Sequence, residues 1–367
     1  MTATRISALF DALLSEKGSD LHLSIGYPPM ARVRGKLTPL REAPLTAAEV
    51  EGMLFELVTP EQKLQITEEL DLDFSYTYGA KARFRANYFY KVTGLAGVFR
   101  FIPSKVQSLE ELSAPDVMRR LAERRSGLVL VTGPAGSGKS TTLAAMLHHI
   151  NQSRHVSILT IEDPVEFVHE PLKAQVTHRE VGPHASSVAT ALRSAAREDA
   201  DVVLVGELNT PEALEQALQL ASSGVLVLAS MYALGAQATL ERILHSFPEQ
   251  KQAQVRGVLA DSLAGILSQQ LLRSVDGKGR VLALEVLLGG GAVAALIREE
   301  QVSQLSSQLE AGQAQGMQTM DQHLERLVAA GAITPTDALE KAHDREAFAR
   351  TLQRLKPDFE VPADVRA

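Results

Sequence analysis

Cysteine and tryptophan are both absent from the 367 residues of this chain. Without thiols there is no disulfide framework, no thiolate zinc site and no cysteine nucleophile, and a reducing compartment is the natural setting. No apolar run reaches the roughly 18 residues needed to span a bilayer. The opening MTATRISALFDALLSEKGSD has no apolar stretch of signal-peptide length ahead of its charges. The chain is therefore expected to be neither exported nor membrane-spanning. A basic excess is missing too: 37 Lys and Arg stand against 44 Asp and Glu, a formal charge of −7. That balance argues against a broad electrostatic grip on nucleic acid or anionic lipid.

What remains is ordinary globular material, 45% hydrophobic and 22% charged, with aromatics at only 5%. The length suggests two domains and a small third element. Apolar residues recur at helical spacing from Ile6 to Glu16, and GSDLHLSIGYPPMARVRGKLTPL then alternates as short strands around Pro28-Pro29. Thr46 to Leu57 and Pro60 to Leu70 read as helices, the first opened by a Thr cap with Glu49 in the capping-box position. Strands are expected at 71–78, 81–91 and 94–102, followed by a polar linker from Pro103 to Ser113. Beyond it, Leu128 to Val131, Ser157 to Ile161 and Val202 to Val205 have the short, β-branched character of buried parallel strands, and helical segments separate them. That order predicts an α/β domain with a parallel sheet. Glu249 to Leu272, Met320 to Ala330 and Thr336 to Ala342 read as helices, and Pro357 to Ala367 as a tail.

The strongest motif is Gly133, Pro134, Ala135, Gly136, Ser137, Gly138, Lys139, Ser140 and Thr141, which fits GxxxxGK[ST] between an apolar strand and a helix. Glycines let successive amides turn inward on a nucleotide's phosphates, and the helix adds its positive end. Lys139 is then expected on the β and γ phosphates of ATP, and the Ser140 hydroxyl on Mg²⁺. Such a site also needs carboxylates at neighbouring strand ends. Two sets qualify: Glu162-Asp163-Pro164-Val165-Glu166 after SILTI, and Gly206-Glu207 after VVLV.

With these residues in view the chain resembles the PilT family of pilus-retraction ATPases, within the wider group of secretion ATPases. TIEDPVEF resembles the Asp box, LVGE the Walker B segment and RFRANYFYKVTGLAGVFRFIPSK the N-terminal arginine strands. SDLHLS, PPMARVRGKL, QVTHREVG, ALRSAARED, SQQLL, GKGRVLALEVLLG, LIRE and MQTMD extend the likeness over nearly the whole chain, from about residue 4 to about residue 345. The resemblance implies an N-terminal PAS-like α+β domain (1–104), a linker (105–113), a RecA-like P-loop ATPase core (114–290), a helical C-terminal portion (291–350) and a tail (351–367). It implies Glu162 as general base and Glu207 as the Walker B acid, sharing Mg²⁺ with Ser140. Arg83, Arg85 and Arg100 become γ-phosphate sensors, Arg83 also counted with Arg193 and Arg197 among the interface arginines. A homo-hexameric ring is implied as well, cytoplasmic and peripheral at the inner face of the cytoplasmic membrane. Its partners would be an inner-membrane pilus platform protein and a second PilT-like ATPase, not nucleic acid.

Two boxes depart from the family pattern. The His box, near AAETGHLVFGTLHT in the family, here runs Leu220 to Ala233 with Val225 and Tyr232 in place of its histidines and Ser222 in place of Glu. After Glu207, Asn209 and Thr210 replace an Arg and an Asp. The main reading is an ATP-hydrolysing retraction motor whose turnover the altered boxes reduce. One alternative is a catalytically weak nucleotide-binding paralogue that assists a partner ATPase. Another is a pilus-assembly or type II secretion ATPase, against which the lack of the four-cysteine metal module common in those proteins counts.

Overall fold

In the computed structural model, residues 5–362 and 365 are described, apart from 34, 80, 103–105 and 278. The chain divides into two compact units, Met1–Lys105 with Pro164–Val168, and Val106–Asp163 with His169–Ala367.

The first unit contains α1 (Ser7–Ser15), β1 (Asp20–Ser24), β2 (Met30–Val33), β3 (Lys36–Pro39), α2 (Ala47–Phe55), α3 (Pro60–Glu69), β4 (Asp71–Tyr78), β5 (Ala82–Lys91) and β6 (Gly94–Ile102). Its strands form one antiparallel sheet in the order β3-β2-β1-β6-β5-β4. Along β5, Ala82, Phe84, Ala86 and Tyr88 are buried while Arg83, Arg85 and Asn87 between them are half-buried, the alternation of a sheet with one core face. Phe10 on α1 stacks on Phe84 at 4.3 Å and meets Phe99 edge-on at 5.1 Å. The buried Tyr88 hydroxyl donates to the Leu54 carbonyl at 3.0 Å, which satisfies its one polar atom. Both helices after Thr caps carry full capping boxes, Thr46 with Glu49 as expected and Thr59 with Gln62.

The second unit runs α4 (Asp116–Ala122), β7 (Gly127–Thr132), α5 (Lys139–Ser153), β8 (Ser157–Glu162), β9 (Gln175–Glu180), α6 (Val188–Ala195), β10 (Val202–Val205), α7 (Pro211–Ser222), β11 (Leu226–Met231), α8 (Ala236–His245), α9 (Glu249–Ser262), β12 (Leu263–Arg273), β13 (Arg280–Leu288), α10 (Gly291–Arg298), α11 (Leu305–Ala311), α12 (Met320–Ala329), α13 (Pro335–Lys341) and α14 (Arg345–Leu355). The seven-stranded sheet has the order β13-β12-β7-β11-β10-β8-β9 and is parallel except for β13. Its central strands are buried on both faces. Val203, Val205, Val227 and Ala229 pack into one apolar cluster, and their neighbours Val202, Leu204, Leu226 and Leu228 into another. A third cluster joins Leu272 and Ala283 of the last two strands to Leu324, Leu339 and Leu352 of the C-terminal helices.

Several expectations change. The helix expected over Glu249 to Leu272 ends at Ser262, and LAGILSQQLLR is strand β12. Buried on both sides between β7 and β13, that strand lacks the alternation that would have separated it from a buried helix. β9, β11 and β13 add strands that periodicity did not call. From residue 106 onward the expected linker belongs to the second unit, where Ser108 and Glu111 exchange side-chain to backbone bonds and Leu109 is buried; residue 105 lies outside the described residues. Helix α14 crosses the boundary expected at 350/351, and Val361 and Val365 of the expected tail pack into the C-terminal cluster. Residues 363–364 and 366–367 of that tail lie outside the described residues.

Candidate functional site

Strand β7 delivers the chain into the glycine loop at the C-terminal edge of the sheet. Gly133, Gly136 and Gly138 have φ of 145°, 75° and 90°, the region open to glycine. Gly133 is required on a second count: a Cβ there would lie 2.3 Å from the Gln269 carbonyl oxygen. Helix α5 begins at Lys139 with Gly138 as its cap and no capping side chain, leaving its first amides to face an anion. Lys139 Nζ donates to the carbonyls of Gly133 (3.0 Å) and Pro134 (3.1 Å), so the ammonium lies over the loop it is expected to serve. Ser140 and Thr141 are half-buried in the first turn of α5, and the space beside Gly136 is open.

The two carboxylate sets meet. Glu162 is the last residue of β8 and is 8% exposed. Gly206, which follows β10, lies directly against it, since a Cβ on Gly206 would stand 3.4 Å from Glu162 Cγ. Gly206 N–H donates to Ile161 O, the Ser230 hydroxyl donates to Gly206 O, and Leu208 N–H donates to Ser230 O, which laces the ends of β8, β10 and β11 together. Glu207 stands exposed at this edge. Thr210 caps α7 by accepting from Ala213 N–H.

Tyr232 and Val225, the two positions expected to stand in place of histidines, separate. Tyr232, 48% exposed, follows β11 at the phosphate-loop edge. Val225 precedes the same strand, beside Gly127 at the start of β7, at the opposite edge of the sheet.

Strand β12 supplies residues that the motifs missed. Gln269, fully buried, donates from Nε2 to the Ser137 carbonyl at 2.7 Å. Ser268 Oγ accepts from Gly235 N–H at 2.9 Å, and its cross-strand partner Glu285 accepts from Ala236 N–H at 2.7 Å. Burial pushes the Glu285 carboxyl up, against the pull of the Ala236 and Met320 amides that donate to it. Reading 263–272 as helix hides Ser268 and Gln269, and Glu285 lies on β13, an edge strand that periodicity does not mark.

In the first unit the arginines lie on the sheet face opposite the aromatic core. Arg85 sits directly across from Arg100. Each has a carboxylate: Arg85 pairs with Asp73 at 3.0 Å and Arg100 with Asp20 at 2.9 Å, while Arg83 donates to Ser75 Oγ. Burial alone would raise the Asp20 carboxyl, but hydrogen bonds from Ser19 and Arg100 outweigh it and hold the group below the usual carboxylate range. In the second unit Arg193 on α6 and Arg197 just beyond it are exposed, Arg197 donating to the Arg193 carbonyl.

The second-unit residues fit a magnesium nucleotide. The loop presents uncapped amides and an ammonium for phosphates, and the nearby donors, Ser140, Glu207 and Glu162, are all oxygen, as Mg²⁺ requires. Among the described residues there is no group of three or more His, Cys, Asp or Glu that could hold a metal ion. No helix among the described residues is long and apolar enough to cross a membrane.

Residues 71–357 match the family model described as type II/IV secretion system protein. The chain is 46% identical over 320 residues to a twitching motility protein of Neisseria gonorrhoeae, covering 87% of this chain and 86% of that protein. It is 43% identical over 343 residues to the type IV pilus retraction ATPase PilT of Pseudomonas aeruginosa, covering 94% and 99%. A crystal structure of the pilus retraction motor PilT with bound ADP superposes with a TM-score of 0.87 at 39% identity, covering 95% of this chain and 99% of that one.

Proposed function

The chain belongs to the type II/IV secretion ATPase family as a PilT-like member, and we propose that it is an ATPase that powers type IV pilus retraction. The observation that carries the chemistry is one strand-end edge of one sheet, which bears both the glycine loop with Lys139 above it and, further along at the ends of β8 and β10, Glu162 packed against Gly206. The loop amides and Lys139 bind the β and γ phosphates. Ser140 and Glu207 would hold Mg²⁺, which would supply positive charge to the phosphate oxygens. Glu162, at a strand end and largely shielded, orients and deprotonates the attacking water. Arg83, Arg85 and Arg100 supply guanidinium forks toward the γ-phosphate, and Arg193 and Arg197 complete a neighbour's site in a homo-hexamer. The ring works at the inner face of the cytoplasmic membrane against a pilus platform protein, alone or with a second PilT-like ATPase.

The test is Lys139→Ala in the full chain, with Mg-ATP affinity and phosphate release measured together. We expect turnover to fall by about 10²-fold or more, as for loss of a preorganised charge at a transition state. Unchanged affinity and turnover would remove the phosphate loop as the working site.

A second reading, slow turnover, draws support from Tyr232 standing exposed at the site's edge, where a phenol cannot become cationic near neutral pH. Tyr232→His should raise turnover with little change in ATP affinity. A wild type already as fast as the variant would end this reading. Val225 sits at the far edge of the sheet, so Val225→His should add nothing within one chain's own site.

A further inference from the structure

We propose that Gln269 is a positioning residue for the phosphate loop, holding both ends of it from the neighbouring strand. This rests on the phosphate loop being the nucleotide site. Strand β12 runs parallel to β7 with Ser268 opposite Thr132, so the next residue of β12 stands beside the first residue of the loop. At that end the Gln269 carbonyl is so close to Gly133 that a Cβ there would lie 2.3 Å from it. At the other end its side-chain amide donates to Ser137 O at 2.7 Å, and a Cβ on Gly138 would lie 3.3 Å from the same nitrogen. The loop thus runs out from the Gln269 backbone and returns to the Gln269 side chain.

Stability alone does not account for this residue. Gln269 is fully buried, and its Oε1 lies buried without a hydrogen-bond partner, as does the Ser137 hydroxyl across the loop. A buried amide with one unsatisfied end costs free energy that an apolar side chain of the same size would avoid. What the amide gains is a fixed orientation for Ser137 O. With that carbonyl turned toward β12, the Gly138 N–H of the same trans peptide unit is aimed away from the strand into the hollow of the loop, where the β-phosphate is expected. This contact is the same for ATP, for ADP and for the transition state, so it contributes uniform binding rather than rate.

The experiment compares wild type, Gln269→Met, Gln269→Asn, Gln270→Leu and Lys139→Ala as full chains. Mg-ADP and Mg-ATP affinities are measured by calorimetric titration, kcat and KM by phosphate release, and thermal midpoints without nucleotide. Gln269→Met keeps the length and loses the donor. It should weaken ADP and ATP alike by about tenfold and raise KM in step, with kcat within about twofold, the pattern of lost uniform binding. Gln269→Asn falls one methylene short of Ser137 and should weaken ADP several-fold while keeping a near-wild-type midpoint; it decides the matter if the Met variant does not fold. Gln270, the next residue, points to Lys341 O instead, and its Leu variant should bind normally. Wild-type ADP affinity in a folded Gln269 variant overturns the proposal, and so does an equal loss in Gln270→Leu. If Lys139→Ala also binds as wild type, the phosphate-loop reading itself has failed; if only the Gln269 variants do, the positioning role alone has.

Discussion

The two sheets keep their polar residues in different places. In the first unit the antiparallel sheet buries one face on Phe10, Phe84 and Phe99, and the other face carries Arg83, Arg85 and Arg100 in mid-strand with Asp20, Asp73 and Ser75 as partners. In the second unit β10 and β11 feed alternate residues into apolar clusters on both sides. Mid-strand positions there have no solvated face, and the candidate chemistry collects past the strand ends, at Gly133 to Thr141, Glu162 and Glu207. A one-faced sheet can carry charge along its length, whereas a sheet covered on both faces can carry it only at its edge.

This contrast can be broken most sharply by one substitution made in both places. Val203→Lys puts an unpaired charge into the doubly covered strand β10 and should cost on the order of 5 kcal/mol, enough to abolish soluble folded protein. Asn87→Lys, half-buried on β5 beside Asp71, should stay within about 0.5 kcal/mol in urea denaturation. Equal effects would mean that the two sheets do not differ as described. The aromatic face can be weighed with Phe84→Ala, which removes the ring stacked on Phe10 and should lower stability by about 3–5 kcal/mol.

Smaller effects probe the charged face. Asp20→Asn deprives Arg100, and the more distant Arg32, of their carboxylate. Because Arg100 is largely exposed the loss should be only about 1 kcal/mol at pH 7. The folded Asp20 pKa lies below its usual value, so the contribution is present above the ordinary carboxylate pKa of about 3.9 and fades as pH falls through the depressed value. Urea midpoints of variant and wild type should therefore converge as pH falls below that depressed value; a gap that persists in acid would assign the effect to packing.

In the second unit the corresponding titration has the opposite cause. Burial, with some help from His178 and His148, pushes the His169 imidazole down to about 4. The unfolded chain then binds more protons between about pH 6.5 and 4, so stability falls as pH drops through that window. His169→Gln should flatten the fall between pH 6.5 and 4 by about 3 kcal/mol in unfolding free energy from denaturation. Some slope should remain, because burial pushes His323 down to about 4 as well. An unchanged profile would show that His169 is not held neutral.

Legibility followed the range of the interactions. The Thr46–Glu49 capping box, the alternating strands of the first unit and the glycine loop were readable because each is decided within a few residues: a Thr and the Glu three places on, a period of two, a motif between a strand and a helix. Strand β12 was not, because an apolar run buried on both faces has no period of its own. Strands β9 and β13 at the sheet's edges and the packed stretch beyond residue 350 were missed for a related reason: their partners lie far off in the chain.

The sequence by itself determined the family and nominated the phosphate loop with Lys139 and Ser140 and the carboxylates Glu162 and Glu207, since these are chemical identities at short spacings. Only the tertiary structure decided that Glu162 lies against Gly206, that Tyr232 and Val225 stand at opposite edges of the sheet, and that Gln269 grips the loop from both ends. The physical reason is that a parallel sheet pairs strands far apart in the chain: Gln269 lies 132 positions from Ser137, and no local pattern encodes a register set by packing across that separation.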